Sequence, residues 1–288
     1  MLLIGGLVFL LVCVFGSFAA SGGAIGPLIK SMPFELITIL GAGIGTFAMA
    51  NSMSDLKHVP GALKTAIKGP AFGRQDYIDL LGLLFFFARL AQTQGVMALE
   101  SHIESPMEST AFAAYPKIRD NDRVRNLICD YLRMISMNMD DAFQFDEVMS
   151  RELTKNLKED SHVAHGLQTL ADALPALGIV AAVLGVIKTM GSISKPPEVL
   201  GEMIAGALVG TFLGVLLAYG MVGPLAGRIQ SVVEEDARYY DLIRAVLVAY
   251  LQGNPAQVSV EIGRKDIPMH LMPSFQEIDT AINELSIG

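Results

Sequence analysis

Residues 174–191 read LPALGIVAAVLGVIKTMG. Fifteen consecutive positions between Asp172 and Lys188 carry no charge. A helix crosses a bilayer with roughly 20 mostly apolar residues, and only a helix satisfies all its backbone polar groups within one such segment. The run widens to residues 170–190, and three more of its kind lie outward from it. They are residues 2–20, residues 34–50 with Glu35 at the edge, and residues 199–222 with Glu202 near the start. The 288 residues are 52% hydrophobic and 17% charged, too apolar for an ordinary soluble chain. The expected fold class is therefore all-α: a polytopic membrane protein with four transmembrane helices and a helical cytoplasmic domain. The first run has a rival reading, a signal peptide cleaved at SFAAS (17–21). The absence of Lys or Arg before it, and the second apolar run close behind, favour a span.

Cations set the expected topology. Residues 53–168 carry thirteen Lys and Arg and residues 228–288 carry five, eighteen of the twenty-one in the chain. The remaining three, Lys30, Lys188 and Lys195, belong to the short connections or to a helix end. Positive residues favour the cytoplasmic side, so both termini are expected inside. The domains follow: 1–52 with spans one and two, a cytoplasmic helical domain at 53–168, 169–227 with spans three and four, and a cytoplasmic extension and tail at 228–288.

Within the cytoplasmic part, 76–104 reads as one long helix ended before Pro106. A second helical region covers 121–158 with Asp120 as its N-cap. Residues 228–251 continue the fourth span until QGNPAQ stops it. Ser274 and Glu277 have the spacing of a capping box. VSVEIG (258–263) is the one weak strand candidate.

Several function classes drop out. The net charge is −8 with no basic tract, which argues against nucleic acid. Cys13 falls in a span and Cys129 outside the spans, so neither a disulfide nor a metal set is expected. No phosphate loop, nucleophile elbow or paired metal-ligand spacing occurs, so no enzyme activity and no cofactor is expected. His162 and His165 stand three apart beside Asp160, and read as surface histidines because nothing joins them as further ligands.

The spans are informative by what they lack. A proton path through lipid needs buried ionisable groups. Glu35, Asp172 and Glu202 all read as span-end residues, so the acid for such a path is expected from a partner. Gly206, Gly210 and Gly214 give two GxxxG steps in span four, and Gly41 and Gly45 one in span two, suited to close packing within or between subunits. Thr211, near the middle of span four, either bonds its own backbone or faces a polar path. Pro175 and Pro224 are expected at equal depth, as helix punctuation or as a joint.

The stretches ADALPALGIVAAVLGVIKTMG (171–191), LGEMIAGALVGTFLGVLLAYGMVGPLA (200–226), VEIGRKDIP (260–268) and ALESHIESPMESTAFAAYP (98–116) closely resemble the MotA family of flagellar-motor stator subunits. That family belongs to the wider MotA/TolQ/ExbB proton-channel group. The resemblance covers most of the chain. It implies a ring of subunits, a pentamer in the usual picture, around a MotB dimer in the bacterial inner membrane. MotB supplies the aspartate that takes and releases protons, and the ring pushes on the rotor protein FliG to turn the flagellum. By motif, Pro175 and Pro224 match residues that couple proton flow to movement, and Thr211 matches a channel-facing position. Ala182 stands where sodium-driven relatives carry an ion-binding threonine; a methyl cannot ligate a hard cation, so protons are the expected ion. Glu100 matches a rotor-facing acid. The family's rotor-facing arginine falls on Gln92, with Arg89 one turn earlier as its replacement. Membrane lipid is the remaining expected partner. Two other readings stay open: an ExbB/TolQ-like energiser of the outer membrane, whose members have three spans, and a self-contained channel or transporter.

Overall fold

The computed structural model describes residues 2–23 and 25–285. Every described element is a helix. The chain divides into two compact units, residues 1–69 with 160–232 and residues 70–159 with 233–288.

The first unit opens with α1 (Leu2–Leu11), a π turn (Val12–Gly16) and α2 (Ser17–Ala20), then α3 (Ile25–Ala50) and α4 (Met53–Lys68). α1 through α2 presents Ile4, Val8, Phe9 and Val12 outward, as a lipid-facing helix does. α3 starts well before residue 34, so the expected connection between the first two apolar runs shrinks to a few residues and Lys30 lies inside a helix. Pro33 does not prevent this. Ser52 and Asp55 close a capping box at the start of α4, and the Ser52 hydroxyl holds the Asp55 carboxyl below its usual range.

The second unit begins with α5 (Arg74–Gln94). The expected helix over 76–104 breaks at Gly95, whose φ of 86° is open to glycine and strained for other residues. A 3₁₀ turn (Val96–Leu99) and short α6 (Glu100–Ile103), α7 (Thr110–Ala113) and α8 (Pro116–Arg119) follow. α9 (Asp122–Ser136) is capped by Asn121, whose side chain accepts from the Val124 N–H; Asp120 instead ends α8. The expected helical region over 121–158 is also interrupted, at Asn138 with φ 65°.

α10 (Ala142–Met190) is a single 49-residue helix carrying residues of both units. α11 (Pro197–Leu217), a second π turn (Ala218–Val222) and α12 (Gly223–Leu251) run on without a break in helicity. α13 (Ala256–Lys265) and α14 (Phe275–Leu285) complete the chain. α13 corrects the strand expected at 258–263. Its alternating Val258, Val260 and Ile262 suit either period, and the helical pairing wins because Val260 and Gly263, three apart, both pack inward. Gly263 sits so close to Val246 that a Cβ there would clash with the valine side chain. At the start of α14 the Ser274 N–H donates to Glu277 at 2.7 Å and the Glu277 N–H donates to the Ser274 hydroxyl at 3.3 Å. The Ser274 hydroxyl, which donates to the Glu277 carboxylate at 2.7 Å, then the Ser274 N–H and Arg74 at 2.6 Å, draw that carboxyl down to about 2.

The core of the second unit gathers Tyr77, Phe87, Phe112, Tyr131, Phe145 and Tyr239, all essentially inaccessible to solvent. Phe72 stacks flat on Tyr239 at 3.8 Å between centroids. Cys129 is buried here, and burial pushes its thiol up to about 11, which leaves it inert. Asp76 and Arg264 are the buried charged residues of this unit among those described. Asp76 accepts from the Gly73 N–H at 2.7 Å and from Lys117 Nζ at 2.6 Å. Asp76→Ala strands the Gly73 N–H and unpairs Lys117. We expect a loss of about 2 kcal/mol, below the figure for a fully buried pair because the lysine is half exposed. Thermal unfolding of the detergent-solubilised chain measures it, at roughly 2–4 °C per kcal/mol.

Candidate functional site

Among the described residues, four helical stretches are long and apolar enough to cross a membrane: Leu3–Ala20, Ile25–Ala50, and windows within Ala142–Met190 and Pro197–Leu251. α10 and α11 meet along a seam of small residues. A Cβ placed on Gly214 would fall 2.7 Å from the Leu174 carbonyl and 2.8 Å from Gly178 Cα. One on Gly178 would fall 2.8 Å from the Gly210 carbonyl, and one on Gly185 would fall 2.6 Å from Ala207 Cβ. The two backbones therefore touch, which only glycine permits and which gives van der Waals contact where lipid supplies no hydrophobic drive.

α3 packs against the same stretch of α11. Ser31 Oγ lies 2.6 Å from where a Gly206 Cβ would be, and Glu35 Oε2 lies 2.9 Å from where a Gly210 Cβ would be. Gly206 and Gly210 thus make room for a hydroxyl and a carboxylate on one face of α3. This corrects the placement of Glu35 at a span end. It is the eleventh of the 26 residues of α3, and its carboxylate abuts the middle of span four. The sequence hid it because the apolar run starts at Phe34, while the helix starts nine residues earlier. The Gly210 position also approaches the Ala182 backbone nitrogen to 3.1 Å, so Glu35, Ala182 and Gly210 form one neighbourhood. A polar cleft of about 250 Å³ opens from it, lined by Ser31, Glu35, Lys188, Thr189 and Glu202 among others. Lys30 and Glu202 pair across its mouth at 3.9 Å.

The remaining glycine pair behaves differently. Gly41 and Gly45 meet nothing within 4 Å, and Gly43 between them packs on Leu170 and Leu174 instead.

Thr211 is half-buried and its hydroxyl makes no hydrogen bond among the described residues, whereas Thr38, Thr46 and Thr189 each bond their own helix. Pro175 lies inside α10. Pro224 follows the π turn, where the Gly223 N–H donates to the Ala218 carbonyl, one residue further back than in an α-helix. Ala171 Cβ lies 3.9 Å from where a Gly223 Cβ would be. With the two helices antiparallel, the prolines are therefore about five residues apart in depth, roughly 7.5 Å, rather than level.

In the second unit Glu100 is exposed at the start of α6. Arg89 is exposed on α5, its guanidinium 6.0 Å from the Phe85 ring centroid. Gln92 clamps the turn before α13: its amide donates to the Asn254 carbonyl at 2.9 Å and accepts from the Ala256 N–H at 3.2 Å. That bond pair is invisible in sequence, since its partners stand more than 160 positions away. His162 faces Asp55 at 3.9 Å, and no group of three metal-ligating side chains occurs among the described residues.

Two family models match the chain. Residues 4–95 match the motility protein A N-terminal model and residues 120–241 match the MotA/TolQ/ExbB proton channel family. Motility protein A of Escherichia coli is 37% identical over 279 residues, covering 97% of this chain and 94% of that protein. The chain belongs to the motility protein A family. Chemotaxis protein LafT of Vibrio parahaemolyticus is 32% identical with 97% of both chains covered. Among solved structures, the flagellar MotAB stator complex from Bacillus subtilis matches at a TM-score of 0.73 and 20% identity, covering 96% of this chain and 98% of that one. The structure of C. jejuni MotAB matches at 0.72 and 17% identity, covering 95% and 98%. At those identities the likeness is one of fold. Membership in the motility protein A family, with four span-capable helices, makes this a multi-pass inner-membrane protein.

Proposed function

We propose that the chain is a stator subunit of the bacterial flagellar motor, forming with a MotB-type partner a proton-conducting complex that drives the rotor. The observation that carries this reading is 37% identity with a motility protein A across 97% of the chain. The N-terminal family match and four span-capable helices favour it over the three-span energisers of the outer membrane. Both termini lie in the cytoplasm on this reading, with eighteen of twenty-one cations on that side.

The membrane face supports an assembly. Ile179, Val180, Val183, Leu184 and Ile187 of α10 are exposed in the single chain, an apolar face as open to neighbouring helices as to lipid. Further copies in a ring, five in the pentamer, and the partner's helices at its centre would cover it.

The proton reaches the partner's carboxylate along a path lined by Ala182 and Thr211. The unbonded Thr211 hydroxyl offers it a polar contact. The chain contributes an acid of its own at this level, Glu35, which the polar cleft connects to the outer end of α3. Protonating the partner's acid removes a charge whose burial costs several kcal/mol, and this changes the favoured ring position. Pro175 and Pro224 give α10 and α12 places to bend, and exposed Glu100 and Arg89 present charge to FliG. Gln92 serves this surface by fixing the turn beside it. Thr211→Val keeps the volume and removes the hydroxyl. We expect a two- to tenfold loss of torque under load with normal membrane abundance, about 0.4–1.4 kcal/mol on the barrier. Unchanged torque in tethered cells would make Thr211 a packing residue only.

The test of the function is complementation of a strain lacking its motility protein A, with swimming measured against a pH gradient and against sodium separately. Rescue that follows the pH gradient supports the reading. Proton flux into vesicles holding this chain alone would point to a self-contained channel.

A further inference from the structure

The strongest feature outside the proposed proton path is a second, larger cleft in the first unit, of about 860 Å³. This lies within the roughly 300–1,000 Å³ typical of ligand pockets. Its walls are the first three turns of α1, the end of α4, and the π turn with the start of α12. Leu3, Leu7, Leu10 and Leu225 line its apolar body. Among the described residues its only charged lining side chains are Lys68 and Arg228, in a chain that carries 29 acids against 21 cations.

The two cations are held together by backbone geometry. α4 ends at Lys68, and the next residue, Gly69, turns away with φ +87°. Arg228 Nη2 lies 3.3 Å from where a Gly69 Cβ would be. Neither Lys68 nor Arg228 forms an ion pair among the described residues. The carbonyls at the end of α4 attract both weakly, and such a dipole leaves most of two positive charges uncompensated. α4 itself is amphipathic, with Lys57, Lys64 and Lys68 exposed, and starts three residues after the second span. A basic helix in that position lies along a lipid headgroup layer.

We propose that this cleft holds an anionic phospholipid, with an acyl chain along Leu3, Leu7 and Leu10 and the phosphate between Lys68 and Arg228. An apolar slot alone would accept any lipid. The paired cations at its rim select a negative headgroup, by roughly fivefold each and about twenty-fivefold together.

Native mass spectrometry of the full-length chain in detergent tests this with dioleoylphosphatidylglycerol against dioleoylphosphatidylcholine. Wild type should retain the phosphatidylglycerol about twenty-five times better. The double variant Lys68→Gln, Arg228→Gln should keep its helical circular dichroism and bring the ratio to within about twofold. Leu7→Trp, which fills the slot, should lower retention of both lipids. Equal retention of the two lipids by wild type overturns the proposal. So does a preference that survives the double variant, undiminished retention by Leu7→Trp, or retention of neither lipid by wild type, the result expected where a second copy of the chain covers the cleft.

Discussion

Gly214→Leu is expected to abolish swimming by removing folded protein from the membrane. Two effects favour the substitution. Leucine partitions into lipid better than glycine, and it is the better helix former by roughly 1 kcal/mol. Against them stands the seam. The Cβ alone would fall 2.7 Å from the Leu174 carbonyl and 2.8 Å from Gly178 Cα, and both are backbone atoms that cannot rotate aside. The helices must separate along their length, breaking the Gly178–Gly210 and Gly185–Ala207 contacts as well. Overpacking costs of more than about 3 kcal/mol are expected where no side chain can yield, so the packing term wins. Immunoblots of membrane fractions should show a drop of roughly tenfold or more. Gly201→Leu is the control on the same helix, since a Cβ there meets nothing within 4 Å. Normal abundance of the Gly214 variant would mean that the two helices do not touch in the assembled protein.

Pro175→Leu should have the opposite profile: protein present, movement gone. Proline within α10 gives no N–H to the Ala171 carbonyl, and its ring crowds that carbonyl. Leucine restores the bond and relieves the crowding, worth up to about 3 kcal/mol to the helix. Membrane abundance should therefore be unchanged or higher. On the proposed function, a stiffened α10 no longer passes the proton-driven shift along its length, and swimming speed should fall at least tenfold. The π turn before Pro224 is a second weak point of the same kind, close to Ala171 of α10. Normal swimming of Pro175→Leu would reduce the proline to helix punctuation.

Much of this was legible in the chain. The four spans and the all-helical class follow from apolar run length, because lipid leaves the backbone no other way to bond. The family was legible in the motifs around Pro175, Thr211 and Pro224. The capping box at Ser274 and Glu277 was legible because both partners lie within one turn. Local rules failed where two local answers compete. Gly95 and Asn138 break helices that periodicity runs through, and Val258–Gly263 alternates like a strand but folds as a helix.

What the sequence determined by itself is a scaffold: how many helices cross the membrane, and that small residues and prolines mark the third and fourth. What the tertiary structure decided is which groups share a space. Hydropathy placed Glu35 at the border of its span, and only the packing of α3 onto Gly206 and Gly210 brings its carboxylate against the middle of the fourth. Gln92 looked like a lost arginine until Asn254 and Ala256 arrived beside it. Apolar length is a property of consecutive residues and is written in the chain. The neighbours of a charge come from segments over a hundred residues away, and are fixed only when backbones pack.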